Sequence, residues 1–412
     1  MEPVHKKETK AIKEISASAL DIPLENSAIR TVNDLLQEGV ERGASDIHLE
    51  PVEEGLTVRL RIDGMLYTLH HISREMMPLI ISRLKIMAGM DIAEKRLPQD
   101  GTIYLDDSKE DINIRVSTLP VIYGEKMVLR ILNPAGLIMV LDTLGFNSFN
   151  LKKYLKFLKH AWGMVLVTGP TGSGKTTTLY STLRHISRPE KNIITVEDPV
   201  EFRLTNANQV QVNTKTGLTF ARALRTVLRQ DPDIIMVGEI RDTETAEIAS
   251  RAALTGHLVF STLHTSDAPR AVTRLLDMGV EPYLLNSSLV GVVSQRLIRL
   301  NCRHCLEAEV PSSDALAIFR EFCKEPEIPV FYRGQGCSHC NNTGFKGRTA
   351  IHEIMPVDEI MRSLIRQSCS GQEIRSYAIA SGMSTILQDG MARAARGETT
   401  LDEVVRETYC AL

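Results

Sequence analysis

One octapeptide constrains the fold of this chain more than any other feature of its sequence. Residues 169–176 read GPTGSGKT, which fits the pattern G-x-x-x-x-G-K-[ST], and they lie between an apolar run and a helix-compatible run, Thr177–His185. In that context, successive backbone N–H groups and the helix N-terminus form a cradle for a diphosphate. The segment therefore predicts a nucleotide-binding loop after a buried strand. The alternative, a chance glycine-rich turn, does not require the flanking strand and helix.

Two side chains of this loop have predicted roles in holding a nucleoside triphosphate. The Lys175 ammonium is expected to reach the β- and γ-phosphates, and the Thr176 hydroxyl is expected to ligate Mg²⁺. A nucleoside triphosphate with Mg²⁺ is therefore expected at this site. The residues predicted to bind the nucleotide are Gly169, Pro170, Thr171, Gly172, Ser173, Gly174, Lys175, Thr176 and Thr177.

Short apolar runs predict a parallel β-sheet in the second part of the chain. They are nearly uninterrupted and are separated by helical segments, which is typical of strands buried on both faces of a helix-covered sheet. The runs are Met164–Val167, Ile193–Val196, Ile234–Val237 and Leu258–Ser261. Ligands of open α/β sheets bind at the carboxyl ends of the strands. The sequence therefore predicts an α/β fold in which the clusters GPTGSGKT, EDP, GEIRD and TLHTS converge on one site.

The clusters after the later strands supply three candidate catalytic side chains. Glu197 precedes Asp-Pro, a common turn start, so it is either part of a surface turn or a carboxylate that orients or deprotonates a water. Glu239 follows Gly238, which replaces the usual first acid of such a strand, and Glu239 is predicted to act on Mg²⁺. A histidine near a strand end is commonly structural or solvated, but the convergence of the clusters favours His264 as a sensor of the γ-phosphate, and His257 is the weaker candidate.

The helix-like and strand-like runs before residue 135 predict a smaller α+β domain that precedes the sheet domain. Residues 1–26 are charged and weakly patterned and predict a tail or linker, 27–134 predict the α+β domain, 135–147 an interdomain linker and 148–412 the sheet domain. Helices are predicted at Ser27–Glu41, Met76–Gly89 and Ser148–Leu158. Strands of the smaller domain are predicted at Ile47–Leu49, Leu56–Ile62, Met65–His70, Ile112–Ser117 and Lys126–Leu132.

Composition excludes several other classes of protein. A chain of 412 residues with 43% hydrophobic residues has the material for two or three cores. The net charge of -3 and the aromatic content of 5% argue against a dedicated nucleic-acid binder. No apolar stretch approaches the roughly 18 residues of a membrane span, and the start MEPVHKKETK has no apolar signal segment. The chain is therefore expected to be cytoplasmic, without a transmembrane segment.

Four of the seven cysteines form a CxxC…CxxC set within the segment 301–348. The four are Cys302, Cys305, Cys337 and Cys340. Four thiolates at this spacing suit a structural Zn²⁺, whereas two redox-active CxxC motifs are the alternative. His304 and His339 are poorly placed to chelate the same ion as their cysteine neighbours. The other cysteines are expected to be packing thiols, namely Cys323, Cys369 and Cys410. Around this insertion, the chain after Val272 is predicted to be mostly helical.

Four ordered boxes resemble those of the secretion ATPases. GPTGSGKTTTLY, ITVEDPVEF, DPDIIMVGEIRD and TGHLVFSTLHT resemble their Walker A, Asp, Walker B and His boxes. GASDIHLEP, IAEKRLPQDG and IRVSTLPVIYGEKMVLRIL resemble the second N-terminal domain of type II secretion and type IV pilus assembly ATPases, the general secretion pathway E class. The resemblance covers Ser27 to Leu412. It implies a RecA-like P-loop ATPase domain, a PAS-like α+β domain, a four-cysteine zinc-binding insertion and a hexamer of mobile two-domain subunits.

The resemblance also implies that the nucleotide is ATP, and it implies roles for individual residues. Glu197 matches the acid that activates water, and Glu239 with Thr176 matches the residues around Mg²⁺. Arg115 and Arg130 match arginines that the smaller domain brings to the phosphates, where a guanidinium stabilises phosphoryl charge. The alternative for both arginines is the solvated face of a strand.

Two departures from the family pattern are visible. Relatives commonly carry an additional N-terminal domain that docks on the membrane platform, and the segment before Ser27 is too short for one. The chain is therefore expected to be either a truncated form or a naturally short member that docks differently. The family's QDGR reads QDGT here, ending at Thr102, so the role of that arginine is not transferred.

The resemblance implies a motor at the inner membrane. Its expected work is the assembly of pilin-like subunits for type II secretion or pilus extension, and its expected partners are an inner-membrane platform protein and associated assembly components. A DNA-uptake pilus is the alternative machine. A nucleic-acid-translocating P-loop ATPase is opposed by the near-neutral charge, and a non-catalytic scaffold is opposed by the presence of every box.

Overall fold

The first unit of the structure, Met1–Gly136, contains a β-sheet whose strands alternate between buried and half-buried residues. In the strand Gly55–Ile62, the side chains of Leu56, Val58 and Leu60 are at most 1% exposed, while the residues between them are half-buried. This is the pattern of a sheet with one covered face. The computed structural model describes residues 14–15, 24–107, 110–132, 140–322 and 328–409.

Seven strands form the sheet of this unit, in the order β1-β4-β3-β2-β7-β6-β5. They are β1 Glu14–Ile15, β2 Ala44–Val52, β3 Gly55–Ile62, β4 Met65–Ser73, β5 Gln99–Asp107, β6 Glu110–Val121 and β7 Gly124–Leu132. All neighbours are antiparallel except β1, which runs parallel to β4. The helices Leu24–Glu41 and Met77–Met87 contribute Val32, Leu36, Ile80 and Leu84 to the core.

Several sequence-based assignments in this unit and in the linker after it differ from the structure. Glu14–Ile15 lies in the predicted tail and pairs with β4, and the first helix begins at Leu24, while most of the tail lies outside the described residues. The strand β5 was not predicted, because QDGTIYLDD lacks a clear period of two. Leu141 and Phe146, in the predicted linker, are buried in the core of the second unit.

The second unit, Leu137–Leu412, is built on a seven-stranded sheet of order β10-β9-β11-β12-β8-β13-β16. Its strands are β8 Gly163–Thr168, β9 Ile193–Glu197, β10 Asn208–Gln211, β11 Ile234–Val237, β12 Leu258–Leu263, β13 Leu289–Asn301 and β16 Phe345–Pro356. The sheet is parallel except that β16 is antiparallel to β13. The strands predicted from the four apolar runs are present, and every residue of β8, β9, β11 and β12 is buried.

Helices cover both faces of this sheet. They are Ser148–Phe157, Lys175–Ile186, Phe220–Val227, Thr243–Leu254, Ala268–Asp277, Pro282–Ser288, Glu359–Arg366, Gly371–Ala380, Ile386–Ala395 and Leu401–Thr408. One hydrophobic core contains Leu166, Ile235 and Val292, and the other contains Val167, Met236 and Phe260. Alternate residues of neighbouring strands thus enter opposite cores, as they do in a helix-covered sheet. The predicted α/β class is confirmed.

Outside the Cys-rich segment helices predominate after Val272, as predicted, but two long strands were missed. β13 and β16 are long strands that form an antiparallel pair, with Val293 opposite Ile354. Their inner residues are buried on both faces, so their apolar positions do not alternate, and such a run resembles a buried helix. Between them lies the Cys-rich segment, with a two-stranded sheet of β14 Leu306–Glu309 and β15 Phe331–Gly334 and the helix Ser313–Phe322. None of the helices that the structure describes is long and apolar enough to cross a bilayer.

Candidate functional site

The glycine-rich loop lies between the end of β8 and the helix Lys175–Ile186, as its pattern predicts. Gly169 has a φ of +147°, and a Cβ there would lie 2.4 Å from the carbonyl oxygen of Gln295. Gly174 precedes the helix in the left-handed region, with a φ of +86°. Both positions therefore require glycine.

The buried Ser173 hydroxyl has no hydrogen-bond partner among the described residues, and a Cβ at Gly172 would meet nothing within 4 Å. An unpartnered donor beside open space at a helix N-terminus fits a bound phosphate.

Lys175 is folded against its own loop. Its Nζ donates hydrogen bonds to the carbonyl oxygens of Gly169 and Pro170, both at 2.9 Å. Burial lowers the pKa of Lys175 to about 8, and the nearby Glu239 carboxylate partly opposes that shift. The ammonium is therefore poorly solvated and close to its titration range, so a phosphate anion would stabilise its charged form.

We expect nucleotide affinity to fall as the pH rises above about 8. Below its pKa the lysine of the free protein already carries its proton, whereas above it binding must include proton uptake, because bound phosphates raise the pKa of Lys175. The Kd for ATP should then increase by up to about tenfold per pH unit. Calorimetry in buffers of different ionisation enthalpy measures both the Kd and the proton uptake. Lys175→Arg should show no such dependence, and a flat wild-type Kd from about pH 7 to 9.5 would contradict the assignment.

Glu197 ends β9 and is only 4% exposed, so it is not part of a solvated turn. Its Oε1 accepts hydrogen bonds from Thr195 Oγ1 at 2.6 Å and from Gln209 Nε2 at 3.0 Å. Its Oε2 accepts one from the hydroxyl of Tyr180, on the helix that follows the glycine-rich loop. A buried carboxylate with donors on both oxygens is held in one orientation.

Glu239 and His264 lie together beside the glycine-rich loop. Glu239 Oε2 is 3.6 Å from His264 Nε2, and its Oε1 is 2.5 Å from the Nη2 atom of Arg241. Burial, followed by the Lys175 charge, lowers the pKa of His264, so its imidazole is neutral at neutral pH. A neutral imidazole can donate a hydrogen bond to an oxygen of a ligand without itself adding charge.

Gly238, which stands where such a strand usually has its first acid, lies close to the strand that carries Glu197. A Cβ at this position would lie 3.3 Å from the carbonyl oxygen of Val196 and 3.4 Å from the Cα of Glu197. A larger side chain would press on the strand that carries Glu197. The other histidine, His257, precedes β12 at the opposite end of that strand from His264, and its Nδ1 is 2.9 Å from the carbonyl oxygen of Ala252.

Gln295 is a contact of the loop that sequence reasoning missed. It lies on β13, is 1% exposed, and uses both ends of its amide. Its Nε2 donates to the carbonyl of Ser173 at 2.7 Å, and its Oε1 accepts from Thr178 Oγ1 at 2.9 Å. It thereby ties the glycine-rich loop to the first turn of the following helix. No motif marks a glutamine more than a hundred residues along the chain, so only the sheet order could have indicated it.

The four predicted metal-ligating cysteines form one cluster. Their sulfur atoms all lie within 4.8 Å of one another. Neighbouring sulfurs are 3.8 Å apart for Cys302 and Cys337 and 3.9 Å apart for Cys305 and Cys340. A tetrahedral ion with metal–sulfur distances of about 2.3 Å separates its ligand sulfurs by about 3.8 Å. The backbone N–H groups of Gly336 and Gly344 donate to Cys305 and Cys340 at 3.3 Å, as is usual around metal-bound thiolates.

Among the described residues, the four cysteines are the one group of His, Cys, Asp or Glu side chains placed to hold a metal ion. His304 and His339 are exposed, and their rings stack on each other with centroids 3.9 Å apart. Cys369 is half-buried, while Cys323 and Cys410 lie outside the described residues. The helix Ser313–Phe322 packs against the C-terminal helices through a core that contains Phe319, Phe331, Met391 and Leu401.

The sequence matches the family described as Type II/IV secretion system protein over residues 24–406, which is most of the chain. This chain belongs to that family. The identification made from the four boxes is therefore confirmed.

The chain is also similar to individual members of this family. The chain is 48% identical over 386 residues to the type IV pilus assembly ATPase PilB of Thermus thermophilus, covering 93% of this chain and 43% of that protein. It is 47% identical over 380 residues to the type II secretion system ATPase E of Vibrio cholerae, covering 92% and 75%. A crystal structure of the pilus retraction motor PilT with bound ADP has a TM-score of 0.61 and 28% identity, and covers 90% of this chain and 95% of that chain. The chain is therefore a member of the secretion and pilus-assembly ATPases.

The two candidate arginines of this family member lie in the first unit on neighbouring strands. Arg115 on β6 is directly paired with Arg130 on β7, so their side chains leave the same face of the sheet. The Nε atom of Arg130 donates to the buried carboxylate of Asp46 at 2.9 Å. The Asp46 carboxylate therefore compensates the charge of Arg130 beside Arg115.

Proposed function

We propose that this chain is the ATP-hydrolysing subunit of a hexameric motor that assembles pilin-like subunits at the inner membrane. The observation that carries the proposal is the convergence of Lys175, Glu197, Glu239 and His264 at the carboxyl ends of four adjacent strands. Membership of the secretion family supports the kind of work to which hydrolysis is coupled. In this proposal the chain lies in the cytoplasm and binds to the inner membrane as a peripheral protein.

In this proposal different residues of the site bind the phosphates, accept the proton and hold the metal ion. The loop from Gly169 to Thr177 holds the phosphates of ATP, and Lys175 compensates the charge that develops on the γ-phosphoryl group. Glu197 accepts a proton from the attacking water, and His264 hydrogen-bonds the γ-phosphate. Thr176 and Glu239 hold Mg²⁺, since hydroxyl and carboxylate oxygens are ligands it prefers, and the ion supplies further charge compensation.

Arg115 and Arg130 make hydrolysis depend on the closure of the first unit over the nucleotide. Guanidinium groups that reach the phosphates only in a closed subunit stabilise the transition state more than the bound ground state. A ring of subunits favours closure, because neighbours hold each subunit in place. The cluster of four cysteines holds Zn²⁺ as a structural ion and takes no part in the reaction.

The machine that this motor serves is type II secretion or pilus extension, with a DNA-uptake pilus as the alternative. All of them require a platform protein in the inner membrane as a partner. Purification of the protein from its own cells together with its membrane partner, followed by identification of that partner, separates the three. Recovery of a nucleic acid in place of a membrane protein would contradict the proposal.

We expect ATPase activity to depend on assembly and on the two arginines. Arg115→Ala and Arg130→Ala should each lower kcat by roughly a hundredfold or more, while the Kd for ATP changes little, because the contacts form mainly in the transition state. Specific activity should rise with protein concentration and on fusion to a hexamerising partner. Arg30→Ala, at an exposed arginine of the same unit, is the control. A fully active monomer, with both variants equal to wild type, would leave a simple P-loop ATPase with a passive first unit.

A further inference from the structure

The three hydrogen bonds on Glu197 come from three different places in the fold. Tyr180 lies on the helix after the glycine-rich loop, Thr195 lies on β9 itself, and Gln209 lies on the edge strand β10. A carboxylate has about four acceptor positions, two on each oxygen. Thr195 and Gln209 occupy those of Oε1, and Tyr180 occupies one of Oε2. A single acceptor position therefore remains, on Oε2.

The tyrosine is fixed as a donor. Tyr180 is fully buried, and its oxygen accepts a hydrogen bond from the backbone N–H of Glu201 at 3.3 Å. Burial, and then the hydrogen bond and charge of Glu197, raise the pKa of Tyr180 well above its usual value, so it keeps its proton throughout the working pH range. Since a hydroxyl has one hydrogen, that hydrogen is directed at Glu197.

The glutamine is fixed at both ends of its amide. Gln209 Nε2 donates to Glu197 and also to the carbonyl oxygen of Phe202, in each case at 3.0 Å. Its Oε1 accepts from the backbone N–H of Leu204 at 2.7 Å. The orientation of the amide is therefore determined by backbone groups of the segment that follows Glu197, and the amide cannot turn without breaking these bonds.

We propose that Tyr180 and Gln209 are positioning residues that leave Glu197 one direction from which to take a proton. This inference rests on the proposed role of Glu197 as the acceptor. In the step, an O–H bond of the attacking water breaks and its proton passes to Oε2 of Glu197. The water oxygen bonds to the γ-phosphorus, and the bond from that phosphorus to the β–γ bridging oxygen breaks, releasing ADP. Tyr180 retains its own proton, so it directs the transfer without joining it.

The proposal is tested by comparing kcat and the Kd for ATP of Tyr180→Phe and Gln209→Met with those of the wild type. Each variant removes one donor to Glu197 and retains the approximate shape of the side chain. We expect kcat to fall by at least about tenfold in each, while the Kd for ATP stays within about twofold, because a misdirected acceptor weakens only the transition state. Tyr154→Phe is the matched control, since it removes a different buried tyrosine hydroxyl, which bonds Thr182 at 2.6 Å. It should lose as much thermal stability as Tyr180→Phe and keep its kcat.

A double-mutant comparison shows whether Tyr180 acts through Glu197. In a Glu197→Gln background, adding Tyr180→Phe should not lower single-turnover hydrolysis further. An equal fall in both backgrounds would overturn the inference, and so would a kcat within twofold of wild type in both single variants while Glu197→Gln is inactive. Full activity of Glu197→Gln would instead refute the proposed acceptor itself. If Tyr180→Phe does not fold, the half-buried Gln209 decides the question alone.

Discussion

Lys175→Ala is expected to lower the kcat for Mg²⁺-dependent ATP hydrolysis by about a hundredfold to a thousandfold, the range found when a preorganised donor to transition-state charge is removed. The ammonium is buried beside the phosphate cradle and is held by the carbonyl oxygens of Gly169 and Pro170. Its attraction to the γ-phosphoryl group strengthens as charge develops there, so turnover should suffer more than binding. Steady-state phosphate release, with ATP affinity measured in parallel, gives both quantities.

Two further variants identify the cause of that loss. Lys153→Ala removes a lysine whose Nζ contacts the ring of Phe149 and the carbonyl oxygen of Gly382, away from the glycine-rich loop, and it should retain wild-type kcat. Glu239→Gln should be as inactive as Lys175→Ala, because it removes the carboxylate proposed to hold Mg²⁺. An active Lys175→Ala protein would remove the glycine-rich loop from the reaction.

Replacement of both Cys302 and Cys305 by serine is expected to release one metal ion per chain and to unfold the segment between β13 and β16. Binding of a structural Zn²⁺ contributes about 10–16 kcal/mol in isolated zinc-finger peptides at neutral pH, so its loss should remove most of the local stability. Elemental analysis measures the metal, and protease sensitivity of the segment measures its folding. The glycine-rich loop follows β8, outside this segment, and should still bind nucleotide.

Cys369→Ser is the control for this variant, since Cys369 lies outside the cluster. It should retain both the metal and the protease resistance. Wild-type protein that is free of metal yet fully folded would refute the zinc assignment. The packing of Phe319 and Phe331 against Met391 would then be the main source of stability in this segment.

The sequence predicted the strands that carry motifs and missed contacts between distant parts of the chain. β8, β9, β11 and β12 were predicted because each is a short apolar run followed by a polar cluster, and the sheet order brings those clusters to one edge. The cysteine cluster followed from spacing alone. β13 was missed because a strand buried on both faces has no period of two, and a buried helix of the same composition has the same appearance.

The side chains that orient the site could not be predicted in the same way. Gln295 contacts Ser173 from a strand more than a hundred residues later, and Gln209 contacts Glu197 from an edge strand with little hydrophobic signal. Their importance lies in hydrogen bonds that exist only once the sheet order is known. Local pattern indicates which groups perform the chemistry, whereas tertiary pairing decides how those groups are held.

The cysteine cluster joins the end of β13 to the start of β16, since Cys302 follows Asn301 directly and its backbone N–H donates to the carbonyl oxygen of Gly344 at 2.9 Å. The ends of the intervening segment therefore meet whatever its length. For a flexible closed segment, doubling the length costs only about 0.6 kcal/mol of closure entropy. Residues added between Cys305 and Cys337 should therefore leave the register of β13 and β16 unchanged, provided that β14, β15 and the helix Ser313–Phe322 keep their packing.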